Sequence, residues 1–209
     1  YKVNNMKKKL IRIILLGLLI FIGYQTFTTY QNVKKVLAYR PMVQEVLDEN
    51  DTKTNENLVL AMIYTETKGR EDDLMQSSES SSGIANTITD SRESVKQGIT
   101  VLSENLEEAQ NRNTDVWTAV QAYNFGKNYI RYIAKHGGKS TIKLAKRYSK
   151  DVVAPSLGNK TGETYHYHNL VAFYYGGGEL YKDGGNIYYA KQVKLNLSLI
   201  KFVAAFQRK

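Results

Sequence analysis

Residues 61–80 read AMIYTETKGREDDLMQSSES. One carboxylate, Glu66, ends an apolar run and stands just before Gly69. A serine-rich stretch with Gln76, Ser77, Ser78 and Glu79 follows. Met62 and Ile63 lie four and three residues before Glu66, so on a helix the acid shares their apolar face. It also occupies the last helical turn, where the partial negative charge of the helix end disfavours a further one. Apolar neighbours desolvate it as well. Both effects raise a carboxyl pKa toward the range in which it donates a proton near neutrality. Glycoside cleavage needs such a donor, because the leaving sugar oxygen is protonated as the bond breaks. The plainer alternative is a surface glutamate at a helix end, titrating normally. Hydrolysis usually takes a second carboxylate. The candidates are Asp72, Asp73, Glu79 and Asp90, with Glu79 inside QSSES either positioning a water or bracing the loop.

The elements that must hold these residues read as helices. Pro41 opens one with Val43, Val46 and Leu47 on one side. The next spans about 55–67, with Leu58, Val59, Met62 and Ile63 as its stripe and Gly69 as its stop. Residues 68–89 read as loop. Asp90 then caps a helix, with Glu93 three residues on. Val95, Ile99, Leu102, Leu106 and Ala109 recur at steps of four and three, which marks an amphipathic helix. NRNTD is a turn, and a helix through Val116, Trp117, Val120 and Tyr123 ends at Gly126. Short helices are expected near 127–136 and 140–150, an irregular Gly- and Tyr-rich region over 155–185, and a final helix over about 186–206. The fold class is mainly α.

The N-terminus adds a membrane signal. Lys7, Lys8 and Lys9 precede the largely apolar run Leu10–Phe27. As a helix its eighteen residues span about 27 Å, close to the hydrocarbon thickness. Arg12 snorkels to the headgroups. The positive flank places the N-terminus in the cytoplasm and the rest outside, as a single-pass membrane protein. A cleaved signal peptide is the alternative, but GYQTFTTYQ offers a poor cleavage site. The expected division is a basic tail over 1–9, a transmembrane anchor over 10–27, a stalk over 28–40 and one catalytic domain over 41–209.

The absence of Cys removes a thiol nucleophile, a zinc–thiolate site and a disulfide scaffold. The net charge of +9 is uneven. Residues 29–115 hold nine bases and sixteen acids, a balance of −7, while 116–209 hold fifteen bases and four acids, a balance of +11. The basic half suits anionic wall polymers or is simply a solvated face. No RNP motif, zinc-finger spacing or recognition helix points to nucleic acid. His166 and His168 have no evident further ligands, so no metal or cofactor is expected. GGGE and DGGN lack the P-loop pattern and read as flexible rims. Sixteen Tyr are present, many of them late in the chain. Aromatic faces stack on sugars, although packing explains many of them. Tyr188 or Tyr189 is a candidate to close a cleft.

Three motifs occur in order: AMIYTET, then LMQ at 74–76, then AYNFG at 122–126. With the amphipathic helix between the last two, this series resembles the lysozyme-like fold of goose-type lysozymes and lytic transglycosylases. MQSSES is similar to the Gram-positive branch, found as the muramidase domain of conjugation-associated wall hydrolases and in related surface antigens. The resemblance covers about residues 40–205. It implies that Glu66 is the general acid/base and that Gln76 with Ser77 or Ser78 holds sugar substituents. It further implies that Tyr123 reaches toward Glu66 and that Asn124 shapes the site. The chain departs from the pattern in one place: only TKGREDD separates Glu66 from LMQ, and Asp73 stands where the family has Gly. The activity implied is cleavage of the β-1,4 bond between N-acetylmuramic acid and N-acetylglucosamine in peptidoglycan, with secretion or conjugation machinery as candidate partners. Hydrolysis and 1,6-anhydro-forming lytic transglycosylation both fit, as does a non-catalytic wall-binding scaffold that keeps the fold.

Overall fold

The computed structural model describes residues 2–50, 52, 54–78 and 87–207, with side chains from Met6 onward. Helix α1 runs from Lys2 to Leu37 without a break. Its apolar stretch is long enough to cross a membrane and none of it is buried by the rest of the chain. The stretch expected as a stalk, 28–40, is instead mostly the end of this helix. Val33, Val36 and Leu37 are buried in the domain core, so the apolar spacing of three and four residues continues past the span.

Helix α2 (Arg40–Glu49) starts at Pro41 and buries Val43, Val46 and Leu47. Helix α3 (Glu56–Glu66) is capped by Asn55, whose side chain accepts from the Leu58 amide at 3.2 Å. All seven residues from Leu58 to Tyr64 are buried, which exceeds the single stripe read from the sequence. A helix apolar all round belongs in the middle of a core, and α3 packs against α1, α2 and the last helix.

Helix α4 (Ser91–Asn111) begins at the Asp90 cap, which accepts from the Glu93 amide at 2.9 Å. It buries Val95, Ile99, Leu102 and Ala109 as its spacing requires, together with Ser94, Gly98 and Asn105. Helix α5 (Val116–Phe125) crosses it and stops at Gly126, where φ is +82°. Helices α6 (Asn128–Ala134) and α7 (Ile142–Tyr148) follow, and α7 runs on through a π-helical turn, Ser149–Val153.

Residues 155–185 are less irregular than expected. Strand β1 (Thr164–His166) pairs antiparallel with β2 (Glu179–Tyr181), with Tyr165 opposite Leu180. Helix α8 (Leu170–Gly176) lies between them in sequence. Three-residue strands carry no readable alternation, which is why the pattern did not reveal them. Helix α9 (Tyr189–Gln207) closes the chain.

Two apolar clusters result. One gathers the end of α1 with α2, α3, α4 and α9, and the other gathers α5 to α8 with Leu180 and Ile187. Gly98 joins the first cluster to the Leu74–Met75 turn, since a Cβ there would lie 2.6 Å from the Met75 sulfur and 2.8 Å from its Cβ. Gly98→Val is therefore expected to destabilise the fold by about 1–3 kcal/mol, read as a lowered thermal midpoint in the detergent-solubilised chain. An unchanged midpoint would mean that the turn does not pack on α4 this closely.

Candidate active site

Glu66 is the last residue of α3, and the chain reverses just beyond it. Lys68 and Gly69 both take positive φ, +56° and +67°. Thr67 fastens the reversal: its hydroxyl donates to the Leu74 carbonyl at 3.0 Å and accepts from the Gly69 amide at 3.2 Å. This folds TKGREDD back so that LMQ lies beside the end of α3. The shortness of the interval is thus compatible with the turn.

The Glu66 carboxyl accepts a hydrogen bond from the Tyr189 hydroxyl at 2.5 Å. Burial raises its pKa to about 7. The Tyr189 bond opposes that rise and the nearby Asp73 charge adds to it. Tyr123 stacks on Tyr189, with ring centroids 6.3 Å apart and planes 6° off parallel. Burial pushes the hydroxyls of both tyrosines well above their ordinary pKa, with the Glu66 charge adding to the shift. Both tyrosines therefore remain proton donors, and Tyr189 spends its proton on Glu66.

Tyr123 donates to the Met75 carbonyl at 2.9 Å, so it holds the LMQ turn from one side. Ser94 holds the other side by accepting from the Met75 amide at 3.0 Å. Ser94 in turn donates to Asp73 at 2.6 Å. Asp73 is buried and also takes the amides of Ser77 and Ser78, at 2.9 and 3.1 Å, and the Ser78 hydroxyl at 2.6 Å. Burial alone would raise the Asp73 pKa, but these bonds outweigh it and hold the carboxyl below its usual range.

The serines therefore do something other than expected. Ser77 and Ser78 are both buried. The Ser77 hydroxyl donates to the Ser94 carbonyl at 3.0 Å, and the Ser78 hydroxyl donates to Asp73 and accepts from the Ile88 amide at 2.9 Å. Their side chains organise the loop, and neither faces open space for a sugar. Gln76 is exposed with φ +49°, and its side-chain amide donates to Glu71 at 2.9 Å. Asp90 is the α4 cap, which turns its carboxylate to a backbone amide. Glu79 lies outside the described residues.

Of the late tyrosines, Tyr189 reaches Glu66, whereas Tyr188 packs in the second cluster with its hydroxyl against Gly176. Asn124 acts at one remove. Its side chain accepts from the Asn186 amide at 2.7 Å, and Gly185 leaves room for that approach. Gln121 donates to the Asn186 carbonyl at 2.9 Å and accepts from the Ala190 amide at 3.1 Å. Asn186 accepts from the Tyr188 amide at 3.0 Å and donates to Gln192 at 2.9 Å. These bonds fix the start of α9 and hence the position of Tyr189. Asn186 and Gln121 were not read from the sequence. GGN before an apolar run is an N-cap signal that would have found the first, but a buried Gln in mid-helix carries none.

A groove of about 410 Å³ lies elsewhere, lined by Leu170, Tyr174 and Tyr175 of α8 and by Lys191, Lys194 and Leu195 of α9. Helical spacing puts those α9 residues on the flank opposite Tyr189 and Val193. The residues lining this groove do not include Glu66.

A family model for lysozyme-like domains matches residues 33–197. A pneumococcal vaccine antigen A homolog of Streptococcus pyogenes is 60% identical over 90% of this chain and 94% of its own length. A bifunctional muramidase/DL-endopeptidase of Bacillus subtilis is 34% identical, over 61% of this chain and 38% of its own. The crystal structure of an NLP/P60-family, lipoprotein-like protein of Staphylococcus aureus aligns with a TM-score of 0.69 at 32% identity. That alignment covers 78% of this chain and 52% of the other.

The raised Glu66 pKa fixes a sign. Between about pH 4.5 and 7 the unfolded chain releases this proton and the folded chain keeps it, so stability falls as pH rises through that window. Glu66→Gln removes the penalty. Relative to wild type it is expected to gain about 1–3 kcal/mol at pH 8 and nothing at pH 4, measured as the difference in unfolding midpoints. A pH-independent difference would contradict the burial of this carboxyl.

Proposed function

The chain belongs to the lysozyme-like family, and on that premise we propose that it is a membrane-anchored peptidoglycan hydrolase. In this reading it is an N-acetylmuramidase, cutting the β-1,4 bond between N-acetylmuramic acid and N-acetylglucosamine outside the cell. Its N-terminus lies in the cytoplasm, with Lys7, Lys8 and Lys9 on the inner face. The observation that carries the reading is the Glu66 carboxyl, desolvated and raised to about 7 with one tyrosine hydroxyl as its partner.

The chemistry follows from that state. Protonated Glu66 gives its proton to the glycosidic oxygen as the C–O bond breaks and positive charge develops on the sugar. The carboxylate left behind is stabilised by the Tyr189 bond, which strengthens as charge appears on Glu66. Glu66 then accepts the proton of the incoming oxygen. Water as that nucleophile gives a reducing end, and the remaining question is which group orients it. Asp73 is saturated by serine hydroxyls and backbone amides and holds no open lone pair for water.

With Asp73 saturated and Glu79 outside the described residues, a second reading is that the C6 hydroxyl of the muramic acid itself attacks its C1, giving a 1,6-anhydro end. Glu66 serves as acid and then base in both cases. Gln76, exposed at the turn, remains the proposed contact for a sugar amide or hydroxyl.

Peptidoglycan digested with the detergent-solubilised chain is expected to release muropeptides, with mass analysis separating reducing from anhydro ends. Glu66→Gln is expected to lower kcat by about 10²–10⁴, and equal release by both proteins would leave a binding or scaffold role. Tyr189→Phe tests the hydrogen bond separately. Because that bond lowers the Glu66 pKa, its loss is expected to move the alkaline limb of the pH–activity profile upward. A limb that stays in place would mean that Tyr189 does not touch the acid during turnover.

A further inference from the structure

Helix α1 does not stop where its apolar run stops. Phe27 is exposed, Thr28 and Thr29 are half-buried, and Val33 is fully buried. No Gly or Pro interrupts the sequence from Tyr24 to Leu37, so the segment has none of the usual causes of a kink. Two contacts tie this part of α1 to the chain on either side of Glu66. Tyr64 shares a hydrogen bond with Thr29, and Arg70 donates to the Asn32 side chain at 2.8 Å. Gly69 backs onto the same helix, where a Cβ would lie 3.3 Å from Val36.

These contacts set a height. With a rise of about 1.5 Å per residue, Thr29 and Asn32 stand only about 3 and about 8 Å above Phe27. The headgroup layer beyond the hydrocarbon is about 5–7 Å thick, and a tilt of about 20° changes these heights little. Val36, against which Gly69 packs, stands about 14 Å above Phe27, so the end of α3 lies between the headgroups and the first few ångströms beyond them. Glycan carried on a lipid pyrophosphate is held at that level by its own anchor. The exposed Lys34, Lys35 and Arg70 supply positive charge there, suited to a pyrophosphate.

We propose that α1 is a rigid spacer that confines the Glu66 site to the membrane surface, so that its substrate is nascent glycan still attached to its lipid pyrophosphate. The inference rests on the glycan-cleaving reading above. It places the protein directly after a membrane-bound glycosyl transfer that lengthens lipid-linked sugar, and it makes glycan deeper in the wall a poor substrate.

The test uses the full chain in proteoliposomes that carry lipid-linked glycan oligomers in the same bilayer, with soluble glycan strands assayed in parallel. An Ala-rich helical insertion of eighteen residues between Phe27 and Thr28 adds about five full turns and lifts the site by about 27 Å without turning it. Wild type is expected to leave a short lipid-attached stub of narrow length distribution. The insertion is expected to leave a longer one, with activity on soluble strands within about twofold of wild type. A Gly/Ser linker of the same length is expected to broaden the distribution, and it decides the matter should the helical insertion lose activity on soluble strands. Identical stubs from wild type and the extended variants would overturn the spacer. So would wild type that cuts soluble strands but spares lipid-linked glycan, while the glycan-cleaving reading would survive. Cleavage of neither substrate by wild type would remove both.

Discussion

The structure turns on desolvating one carboxyl, itself still partly exposed, at the end of an apolar helix. A buried acid with no donor would be strongly unfavourable, and one with many donors would ionise and cease to be an acid. Among the described residues Glu66 has a single donor, the Tyr189 hydroxyl at 2.5 Å. That arrangement lets it stay protonated near neutrality while offering stabilisation once the proton leaves. Much of the surrounding architecture can be traced to placing that one hydroxyl. Tyr189 stands at the first turn of α9, Asn186 caps that turn, and Gln121 and Asn124 of α5 hold Asn186. Asn196 of α9 then donates to Thr65, next to Glu66, at 2.9 Å.

A second carboxylate takes the opposite environment. Asp73 is buried as well, yet two hydroxyls and two amides hold it ionised. Its fixed charge pushes the Glu66 pKa further up. Two neighbouring acids thus have their pKa values driven apart by their surroundings, one toward proton donation and one toward permanent charge. Asp73 also explains the serines. Ser77, Ser78 and Ser94 form a nest around one negative charge, and that nest fixes the loop that follows the LMQ turn.

The helices were largely legible in the sequence because their signals are local. The cap at Asp90, the stops at Gly69 and Gly126, and the stripe from Val95 to Ala109 all involve residues a few positions apart. The place of Glu66 at an apolar helix end and the direction of its pKa shift were legible for the same reason, since its apolar neighbours lie on its own helix. The roles of Ser77 and Ser78 were not. A serine beside a glutamine suits a sugar and suits a buried aspartate equally, and only the path of the chain around Asp73 separates the two. Tyr189 could be named only as one of a pair with Tyr188. The tyrosine that faces the acid depends on how α9 packs on α3, across 123 residues of sequence. The continuation of α1 to Leu37 was not legible because the apolar spacing of Val33, Val36 and Leu37 is short and follows a stretch that is apolar on every side.

The central claim is that the folded chain holds Glu66 as an acid near neutral pH. Carbon NMR of the side-chain carboxyls, with Glu66→Gln identifying the resonance, reads that state directly. A titration midpoint at about 7 is the result this account predicts. A midpoint at the ordinary glutamate value of about 4.3 would contradict it.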